Sequence, residues 1–371
     1  MRRLTVVQLL PALESGGVER STLEIAAALV SAGHRAIVVS AGGRLVPALL
    51  ASGAEHVTID IGRKSPAVLG RVPALRRLLR DEGVDIVHAR SRLPAWLGRM
   101  ALATLPAGRR PRWVTTVHGL NSPGRYSEVM ASGERVVCVS ATVREHVLRH
   151  YPATDPARLR VIPRGIEPGQ FPRRPHPDPA ARQYVAQRHP ELAGHGPLLL
   201  LPGRGTRLKG HADALHLLAA LRAGPFPGAR LWLPGAREAG RGAYIGELEA
   251  LAAGLGLDGA VAFTPPTSRI AEAYAASDLV LQLSRKPEAF GRTVVEALAV
   301  GRPVAGWAHG GVGELLAGMQ PQGAVAPFDA AALVVAAASL LRAPPRMPDT
   351  IPFTLQAMQQ STLELYAELA G

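Results

Sequence analysis

The sequence predicts an α/β protein with two Rossmann-like, doubly wound domains, and three observations carry this prediction. Short apolar runs alternate with helical patterns along most of the chain, which is typical of parallel sheets covered by helices on both faces. The 371 residues suffice for two domains of ordinary size, each with its own core. Glycine-rich turns follow several apolar runs, as they do at strand-to-helix turns of doubly wound sheets.

The first half contains seven short apolar runs that predict strands. They are Leu4–Leu9, Ala36–Ser40, His56–Ile59, Ile86–His88, Trp113–Val117, Val136–Val139 and Arg160–Ile162. Helical patterns between them predict helices at Gly17–Ala32, Pro47–Ser52, Leu69–Glu82, Pro94–Leu105 and Ala141–His150. Ser140 stands directly before the last of these helices, where an N-cap is expected.

The second half repeats the alternation. Predicted strands are Leu198–Leu201, Ala229–Leu233, Ala260–Phe263, Leu279–Leu281 and Val304–Gly306. Predicted helices are His211–Arg222, Gly242–Leu255, Ser268–Ala276, Thr293–Val300, one opening at Gly310–Glu314, Ala330–Leu341 and Leu355–Leu369. The domains are therefore expected at residues 1–167 and 198–352, with the Pro-, Arg- and His-rich residues 168–197 as the interdomain connection and 353–371 as a terminal helix.

Composition excludes several classes of protein. No stretch approaches the roughly 18 consecutive apolar residues of a membrane-spanning helix. The single cysteine, Cys138, rules out an internal disulfide framework and fits a reducing compartment, with a buried strand residue as its expected role. We therefore expect a cytoplasmic protein.

Positive charge is concentrated in the first half. Residues 1–165 hold 24 Lys and Arg against 12 Asp and Glu, whereas the remainder holds 18 against 17. This asymmetry predicts an anionic partner for the first domain, such as a membrane surface, an anionic glycolipid or nucleic acid. The basic amphipathic segment Arg71–Arg80 fits either a helix resting on an anionic membrane or a plain surface helix.

The run from Glu288 to Glu296 is the most informative segment. Glu288 precedes the predicted helix Thr293–Val300, and Glu296 lies about one turn inside it. A helix start offers unpaired N–H groups and a positive dipole end, which favour a phosphate. One carboxylate can then reach a hydroxylated group beyond that phosphate, and the other carboxylate can reach one behind it, which is the layout of a sugar–diphosphate–ribose molecule. An ordinary helix start without ligand is the alternative.

Two further glycine-containing loops follow predicted strands. In the loop Pro202–Gly210, Arg204 and Lys209 can neutralise a diphosphate beside a helix start, although the spacing is not that of a P-loop. Gly16 and Gly17 follow the first strand and allow a close backbone approach to a ligand. They do not form the Gly-x-Gly-x-x-Gly fingerprint, which argues against a hydride-transfer enzyme.

Polar residues also end two strands of the first half. His118 ends the strand Trp113–Val117 at the edge of the sheet where ligands bind, with a hydrogen-bonded structural histidine as the alternative. His88, Arg90 and Arg92 occupy a similar strand end and are candidates for acceptor contacts.

The Glu288–Glu296 run and the Gly203-Arg204…Lys209-Gly210 motif resemble the signature of retaining glycosyltransferases with a GT-B fold, in the large bacterial family 4 group. That group includes sucrose synthases, mannosyltransferases and lipopolysaccharide-core glucosyltransferases. The resemblance implies an active site in a cleft between the two domains. It also implies that the last helix crosses back onto the first, acceptor-binding domain.

The resemblance also implies roles for individual residues. Those that would act in catalysis are His118, Arg204, Lys209 and Glu288. Those that would bind the donor are Gly16, Gly17, Gly203, Phe290, Gly291, Arg292, Thr293 and Glu296. The segment Val161–Glu167 resembles the family's Pro-Asn-Gly-Ile/Val-Asp element, but Arg164 stands in place of Asn and Glu167 in place of Asp.

We therefore expect a retaining glycosyltransferase that moves a sugar from a UDP-, GDP- or ADP-sugar to a hydroxyl acceptor, such as a cell-envelope glycolipid or lipopolysaccharide precursor. No metal and no other cofactor are expected, because Arg204, Lys209 and helix dipoles would neutralise the leaving diphosphate. Peripheral association with the cytoplasmic face of the inner membrane is a further expectation. The alternatives are a sugar-nucleotide epimerase of the same fold, a catalytically dead binding module, and a basic nucleic-acid-binding protein, against which the 4% aromatic content argues.

Overall fold

The computed structural model describes residues 2–14, 16–238, 240 and 242–371, which divide into two compact units. The first unit comprises Met1–Gly165 and Leu355–Gly371, and the second comprises Ile166–Thr354. Each unit is built around one all-parallel sheet. This confirms the predicted class of an α/β protein with two doubly wound domains.

The first unit contains a seven-stranded sheet in the order β3-β2-β1-β4-β5-β6-β7. Its strands are β1 (Thr5–Leu9), β2 (Arg35–Ser40), β3 (Glu55–Thr58), β4 (Ile86–Ala89), β5 (Arg112–Val117), β6 (Arg135–Cys138) and β7 (Leu159–Val161). Every residue of the central strand β4 is buried, as expected for a parallel sheet covered on both faces.

The helices before the second unit are α1 (Gly17–Ser31), α2 (Val46–Ala51), α3 (Val72–Asp81), α4 (Arg92–Ala103), the short α5 (Arg125–Glu128) and α6 (Ala141–His150). Helix α5 was not predicted, and the others lie within two residues of the predicted bounds, with one exception. The exception is the predicted helix Leu69–Glu82, whose start is a 3₁₀ turn at Pro66–Arg71. Pro73 lacks an N–H and fits only the first turn of α3, so the α-helix begins at Val72. The N-cap at Ser140 is confirmed, because its side chain accepts a hydrogen bond from the Val143 N–H.

The apolar face of α3 is directed into the protein. Leu75 and Leu79 are fully buried, whereas Arg76, Arg77 and Arg80 are exposed. Resting this helix on a membrane with its apolar side down would require those leucines to be outside, so that alternative is wrong. The helix is a surface helix whose outer face is cationic.

The second unit contains a six-stranded sheet in the order β10-β9-β8-β11-β12-β13. Its strands are β8 (Leu198–Leu200), β9 (Arg230–Pro234), β10 (Val261–Thr264), β11 (Leu279–Gln282), β12 (Val304–Trp307) and β13 (Ala324–Val325). Strand β13 was not predicted, because two residues are too few to show a periodicity. Its helices are α7 (Pro179–Arg188), α8 (His211–Ala223), α9 (Gly242–Gly254), α10 (Ile270–Ala276), α11 (Arg292–Val300), α12 (Gly310–Met319) and α13 (Ala330–Arg342).

Residues 168–197, for which we expected an interdomain connection, belong to the second unit. The buried guanidinium of Arg302 donates hydrogen bonds to the carbonyl oxygens of Arg174 (3.3 Å) and Pro175 (2.5 Å). Asp278 forms an ion pair with Arg182, and its carboxylate lies 3.7 Å from His176 Nε2. Since backbone carbonyls in this segment are satisfied by core side chains, the segment is a packed part of the second unit.

The last helix, α14 (Leu355–Ala370), packs into the core of the first unit. Met358, Leu365, Tyr366 and Leu369 are buried among residues of β1, α1 and β2. Within the second unit, Ile166 pairs with Thr354, so the two points where the chain passes between units are adjacent. The crossover helix implied by the resemblance is confirmed.

Candidate functional site

The polar residues of the second unit converge where its strand order reverses. Strand β8 lies between β9 and β11, so the connections after β8 and β11 leave the sheet in opposite directions. Ligands bind outside the carboxyl ends of strands at such a switch point. The loop after β8 carries Arg204 and Lys209, and the loop after β11 carries Glu288.

Two glycines allow the loop after β8 to pack closely against neighbouring backbone. A Cβ on Gly205 would lie 2.0 Å from the carbonyl oxygen of Ala236, and one on Gly210 would lie 2.1 Å from that of Leu283. Gly210 also has a left-handed backbone with φ of 76°, which favours glycine. The sequence Lys209-Gly210 therefore places a lysine directly beside the end of β11.

Lys209 and Glu288 form the centre of the site. The Lys209 Nζ donates a hydrogen bond of 2.5 Å to Glu288 Oε1, with side chains 34% and 24% exposed. Ser284 Oγ lies 2.5 Å from the same carboxylate oxygen, and Gln282 Nε2 lies 3.4 Å from the other. The carboxylate is thus oriented by three groups while remaining open to solvent on one side.

The start of α12 fixes the backbone of the Glu288 loop. The Gly311 N–H donates a hydrogen bond of 2.7 Å to the Glu288 carbonyl, and a Cβ on Gly311 would lie 2.4 Å from the Phe290 carbonyl. The His309 Nε2 lies 2.8 Å from the Ser284 carbonyl. The two loops beyond β11 and β12 therefore hold each other in place.

Helix α11 begins without a side-chain cap. Its N-cap, Gly291, has φ of 113° and, as a glycine, supplies no side-chain cap. Such a helix start is suited to an anion. Glu296, one turn further, is 8% exposed and accepts a hydrogen bond of 2.8 Å from the Tyr274 hydroxyl. Burial, followed by the charge of Glu296, raises the pKa of Tyr274 well above 10, so this hydroxyl remains a donor.

The other predicted donor residues of this unit differ in exposure. Arg204 is exposed and, within the described part of the chain, forms no ion pair or hydrogen bond through its side chain. Arg292 and Thr293 are half-buried beside Gly291. The Phe290 side chain is buried edge-on against Phe353, so only its backbone is available to a ligand.

The basic residues just before Glu288 are not equivalent. Arg285 forms two hydrogen bonds to the Asp213 carboxylate (2.7 and 2.9 Å) and lies 5.0 Å from the ring centre of Phe328. Lys286 is exposed. The Arg285 guanidinium is therefore already engaged, and it could bind an anionic ligand only by leaving Asp213.

In the first unit, Gly16 and Gly17 begin α1 as expected. Gly16 has φ of 145°, and a Cβ there would lie 2.6 Å from the Glu19 carboxylate. A Cβ on Gly17 would meet no atom within 4 Å, so glycine is required by the local structure only at Gly16.

His118 lies at the carboxyl end of β5. Its Nδ1 lies 2.5 Å from Arg164 Nη2, and its Nε2 is withdrawn from solvent without a partner among the described residues. The residue as a whole is half-buried, because part of it reaches the surface. Burial, with the charges of Arg164 and Arg90, holds the pKa of His118 well below 6.5.

The expectation that His88 and Arg90 contact an acceptor is wrong. Both are buried, and both ring nitrogens of His88 are engaged, with the Tyr366 hydroxyl at 2.5 Å and Thr116 Oγ1 at 2.6 Å. Arg90 donates hydrogen bonds to Gln8 and Ser21 inside the core. These residues tie α14 and α1 to the sheet.

Arg92 is the third acceptor candidate, and it is half-buried at the start of α4. Its Nη1 donates a hydrogen bond of 3.0 Å to Ser127 Oγ, and its guanidinium lies 5.2 Å from the ring centre of Tyr126.

Sequence reasoning missed four residues of the site. Gln282 and Ser284 could have been found, because polar residues ending a buried strand are a signal that we applied elsewhere. Tyr274 and His309 carried no local signal, since Tyr274 lies 22 positions from its partner and His309 acts through the Ser284 backbone.

A metal-binding cluster and a membrane-spanning helix are both absent from the described residues. In the ranges given above, no group of three or more His, Cys, Asp or Glu side chains could hold a metal ion. Over the same ranges, no helix has the length and apolar composition needed to cross a bilayer.

Comparisons with known proteins agree with this geometry. The profile of Glycosyltransferase Family 4 matches residues 15–170, and that of Glycosyl transferases group 1 matches residues 186–352. A D-inositol 3-phosphate glycosyltransferase of Acidothermus cellulolyticus is 30% identical over 262 residues, which cover 63% of this chain and 54% of the relative. The chain spans about half the length of the curated relatives that it matches first.

Solved structures resemble the whole chain. A glycosyltransferase from Rickettsia africae has a TM-score of 0.85 at 28% identity, with 100% of this chain and 99% of that chain covered. HepE from Anabaena, solved with UDP, has a TM-score of 0.81 at 21% identity, with 98% and 100% covered, and shows the fold alone. With two sequence profiles that together span most of the chain, and with this agreement in fold, the chain belongs to the family 4-like glycosyltransferases of GT-B fold.

Proposed function

We propose that the protein is a retaining glycosyltransferase that transfers a sugar from a nucleoside-diphosphate sugar to a hydroxyl acceptor. The observation that carries this proposal is the Lys209–Ser284–Glu288 network at the switch point of the second sheet, beside the uncapped start of α11. It combines an oriented carboxylate, a cation and the N–H groups of a helix start at one sheet edge. A nucleotide sugar requires all three.

Each group has a chemical task in this proposal. Glu288 accepts hydrogen bonds from sugar hydroxyls, and Glu296, inside α11, accepts them from the ribose. Arg204 and Lys209 bind the diphosphate, with the N–H groups at Gly291 and beyond. Arg204 is exposed and forms no ion pair with the residues that the structure describes, which suits a residue that binds an anionic ligand.

Rate enhancement would come from positive charge placed where the diphosphate leaves, together with orientation of the acceptor hydroxyl. We further propose that transfer needs no divalent metal, because two basic side chains and a helix start supply the charge. Retention would follow from attack on the same face of the sugar, with a donor phosphate oxygen taking the acceptor proton. No protein side chain is then needed as a base.

The proposed acceptor is a hydroxyl compound that carries phosphate, such as a cell-envelope glycolipid or lipopolysaccharide precursor. The support is the excess of positive charge in residues 1–165. Curated relatives are named for D-inositol 3-phosphate, which is also a phosphorylated hydroxyl compound. Both acceptor types should be tested.

Peripheral attachment to an anionic membrane would be electrostatic, since the leucines of α3 are buried and Arg76, Arg77 and Arg80 are exposed. Flotation with anionic liposomes should therefore be lost at high salt. Flotation that persists at high salt, or none at low salt, would contradict this part.

The proposal is tested with the full chain and a panel of UDP-, GDP- and ADP-sugars. One nucleotide should raise the unfolding temperature through mass action, and its sugar form should be consumed when an acceptor is present, with EDTA without effect. Proton NMR of the product should show the donor's anomeric configuration. If no donor is bound or consumed, the proposal fails. Formation of an epimeric donor would favour an epimerase, and binding without consumption would favour a binding module.

A further inference from the structure

Arg164 stands where the family's Pro-Asn-Gly element has Asn, and it contacts His118 within the first unit. The distance from Arg164 Nη2 to His118 Nδ1 is 2.5 Å. A guanidinium can only donate hydrogen bonds, so His118 Nδ1 must be the unprotonated, accepting nitrogen. The neutral ring therefore carries its proton on Nε2.

The surroundings of His118 keep the ring neutral. The charged or titratable groups that face it are Arg164 after β7, and Arg90 and His88 at the end of β4. Two of these are cations, and no carboxylate is among them. A protonated ring would direct a second N–H at a guanidinium, which like-charge repulsion disfavours.

The His118 Nε2–H has no acceptor in the part of the chain that the structure describes, and the atom is withdrawn from solvent. A buried donor without an acceptor is costly, so such positions are usually completed by water or a ligand. At the carboxyl end of β5, where ligands of parallel sheets bind, a ligand oxygen is the natural acceptor.

We propose that Arg164 is a positioning residue: it holds His118 in the Nε2–H tautomer and so presents one hydrogen-bond donor to an oxygen of the bound substrate. This inference rests on the proposed function, which supplies that oxygen. An Asn at the same position could either donate or accept and would not impose one tautomer. With Arg at this position, His118 Nε2 can therefore act only as a hydrogen-bond donor.

The first test needs no turnover. The full chain labelled with ¹⁵N-histidine is studied by long-range ¹H–¹⁵N correlation, with His118 assigned through His118→Gln. We expect a neutral ring protonated on Nε2 in the wild type and in Arg164→Lys, and loss of this single tautomer in Arg164→Met. An Nδ1–H or charged ring in the wild type would overturn the inference, as would an unchanged tautomer in Arg164→Met.

The second test uses transfer kinetics. Arg164→Met and His118→Gln should each lower kcat/KM about 10²-fold, the scale for losing one preorganised donor, and the double variant should lose little more. Arg164→Lys should recover part of the activity. Arg158 is an exposed arginine directly before β7, and Arg158→Met should have normal activity. Additive losses, or a normal kcat/KM in Arg164→Met, would refute the positioning role. If the wild type transfers no sugar, the proposed function fails. The NMR measurement of the His118 tautomer would still show whether Arg164 positions the ring.

Discussion

The carboxyl edges of the two sheets carry polar residues at the same topological position, next to the strand-order switch, but these residues differ in what they contact. In the second unit, Lys209 and Glu288 form an ion pair whose two side chains both remain partly exposed, so a ligand can reach them. In the first unit, His88 and Arg90 are buried and bonded to neutral core groups. His118 is the intermediate case, with one ring nitrogen engaged and one free of partners among the described residues.

This contrast shows that a polar residue at the end of a parallel strand is not by itself a ligand contact. What decides is whether its hydrogen-bonding groups are already satisfied by the core. Substitutions at the edge of the second sheet should therefore lower activity, whereas substitutions of the buried residues His88 and Arg90 at the edge of the first sheet should lower stability.

Glu288→Gln should lower kcat/KM by at least about 10³-fold, because it removes an oriented carboxylate that also holds Lys209. Lys209→Met should have a similar effect, and the two together should cost little more than either alone. Transfer kinetics and thermal unfolding measure activity and fold separately. Glu145→Gln, on the exposed face of α6, is the matched control. Near-normal turnover in either variant would exclude the proposed site.

Arg302→Met should lower the free energy of unfolding of the second unit by about 3 kcal/mol, since it leaves buried carbonyls at Pro175 and Ala275 without donors. Burial lowers the pKa of Arg302 to about 10, so it remains charged and bonded at neutral pH. Hydrogen exchange of β11 and β12 peptides measures the change. Arg346→Met, at an exposed arginine, should have no effect. A loss below about 1 kcal/mol would show that residues 168–197 are held by other contacts.

Arg90→Met should destabilise the first unit by about 2 kcal/mol without changing the KM for the donor, because the buried Arg90 donates its hydrogen bonds to Gln8 and Ser21 in the core. The reactivity of the single cysteine, Cys138, measures this loss of stability. Burial raises the pKa of Cys138 to about 12, so the thiol should react only when the unit opens. Labelling should become about 30-fold faster. Arg99→Met, an exposed arginine on α4, is the control, and an altered donor KM would restore Arg90 as a ligand contact.

Tyr274→Phe should weaken binding of the nucleoside diphosphate about tenfold, a loss of about 1.4 kcal/mol, because Glu296 loses the hydroxyl that orients it. The kcat should change little, since Glu296 is assigned to the ribose and not to the reacting sugar. Calorimetric titration measures the dissociation constant. Tyr126→Phe, at an exposed tyrosine, is the control. An unchanged dissociation constant would show that packing alone orients Glu296.

Between pH 6.5 and pH 5.5, protonation linked to His88 should lower the free energy of unfolding of the first unit by about 1 kcal/mol. Burial holds the pKa of His88 well below 6.5, so the unfolded chain takes up the proton first, and stability present above pH 6.5 is lost as pH falls. Hydrogen exchange of β1 and β4 peptides at both pH values measures this. The pH dependence of the stability should be smaller in His88→Gln than in the wild type. An equal pH dependence in that variant would show that other groups cause it.

The sequence predicted most elements because their signals are local. Strands such as β4 and β11 are continuous apolar runs, and α11 ends at Gly301 before Pro303, as its stop signal indicates. The Glu288–Glu296 spacing was also readable, because loop and first helical turn are contiguous. The start of α3 was misjudged by three residues, since Pro73 is tolerated only in the first turn.

The α/β class, the two doubly wound units and the candidate donor residues around Glu288 could be predicted from the sequence, since periodicity and turn chemistry act over a few residues. The contacts between remote residues could not be predicted and are known from the fold. Lys209 meets Glu288 across 79 positions, His88 meets Tyr366 across 278, and the leucines of α3 face inward. Burial and hydrogen-bond satisfaction depend on which remote segments remove a group from water. For that reason the same polar residue type can be a ligand contact at one sheet edge and part of the core at the other.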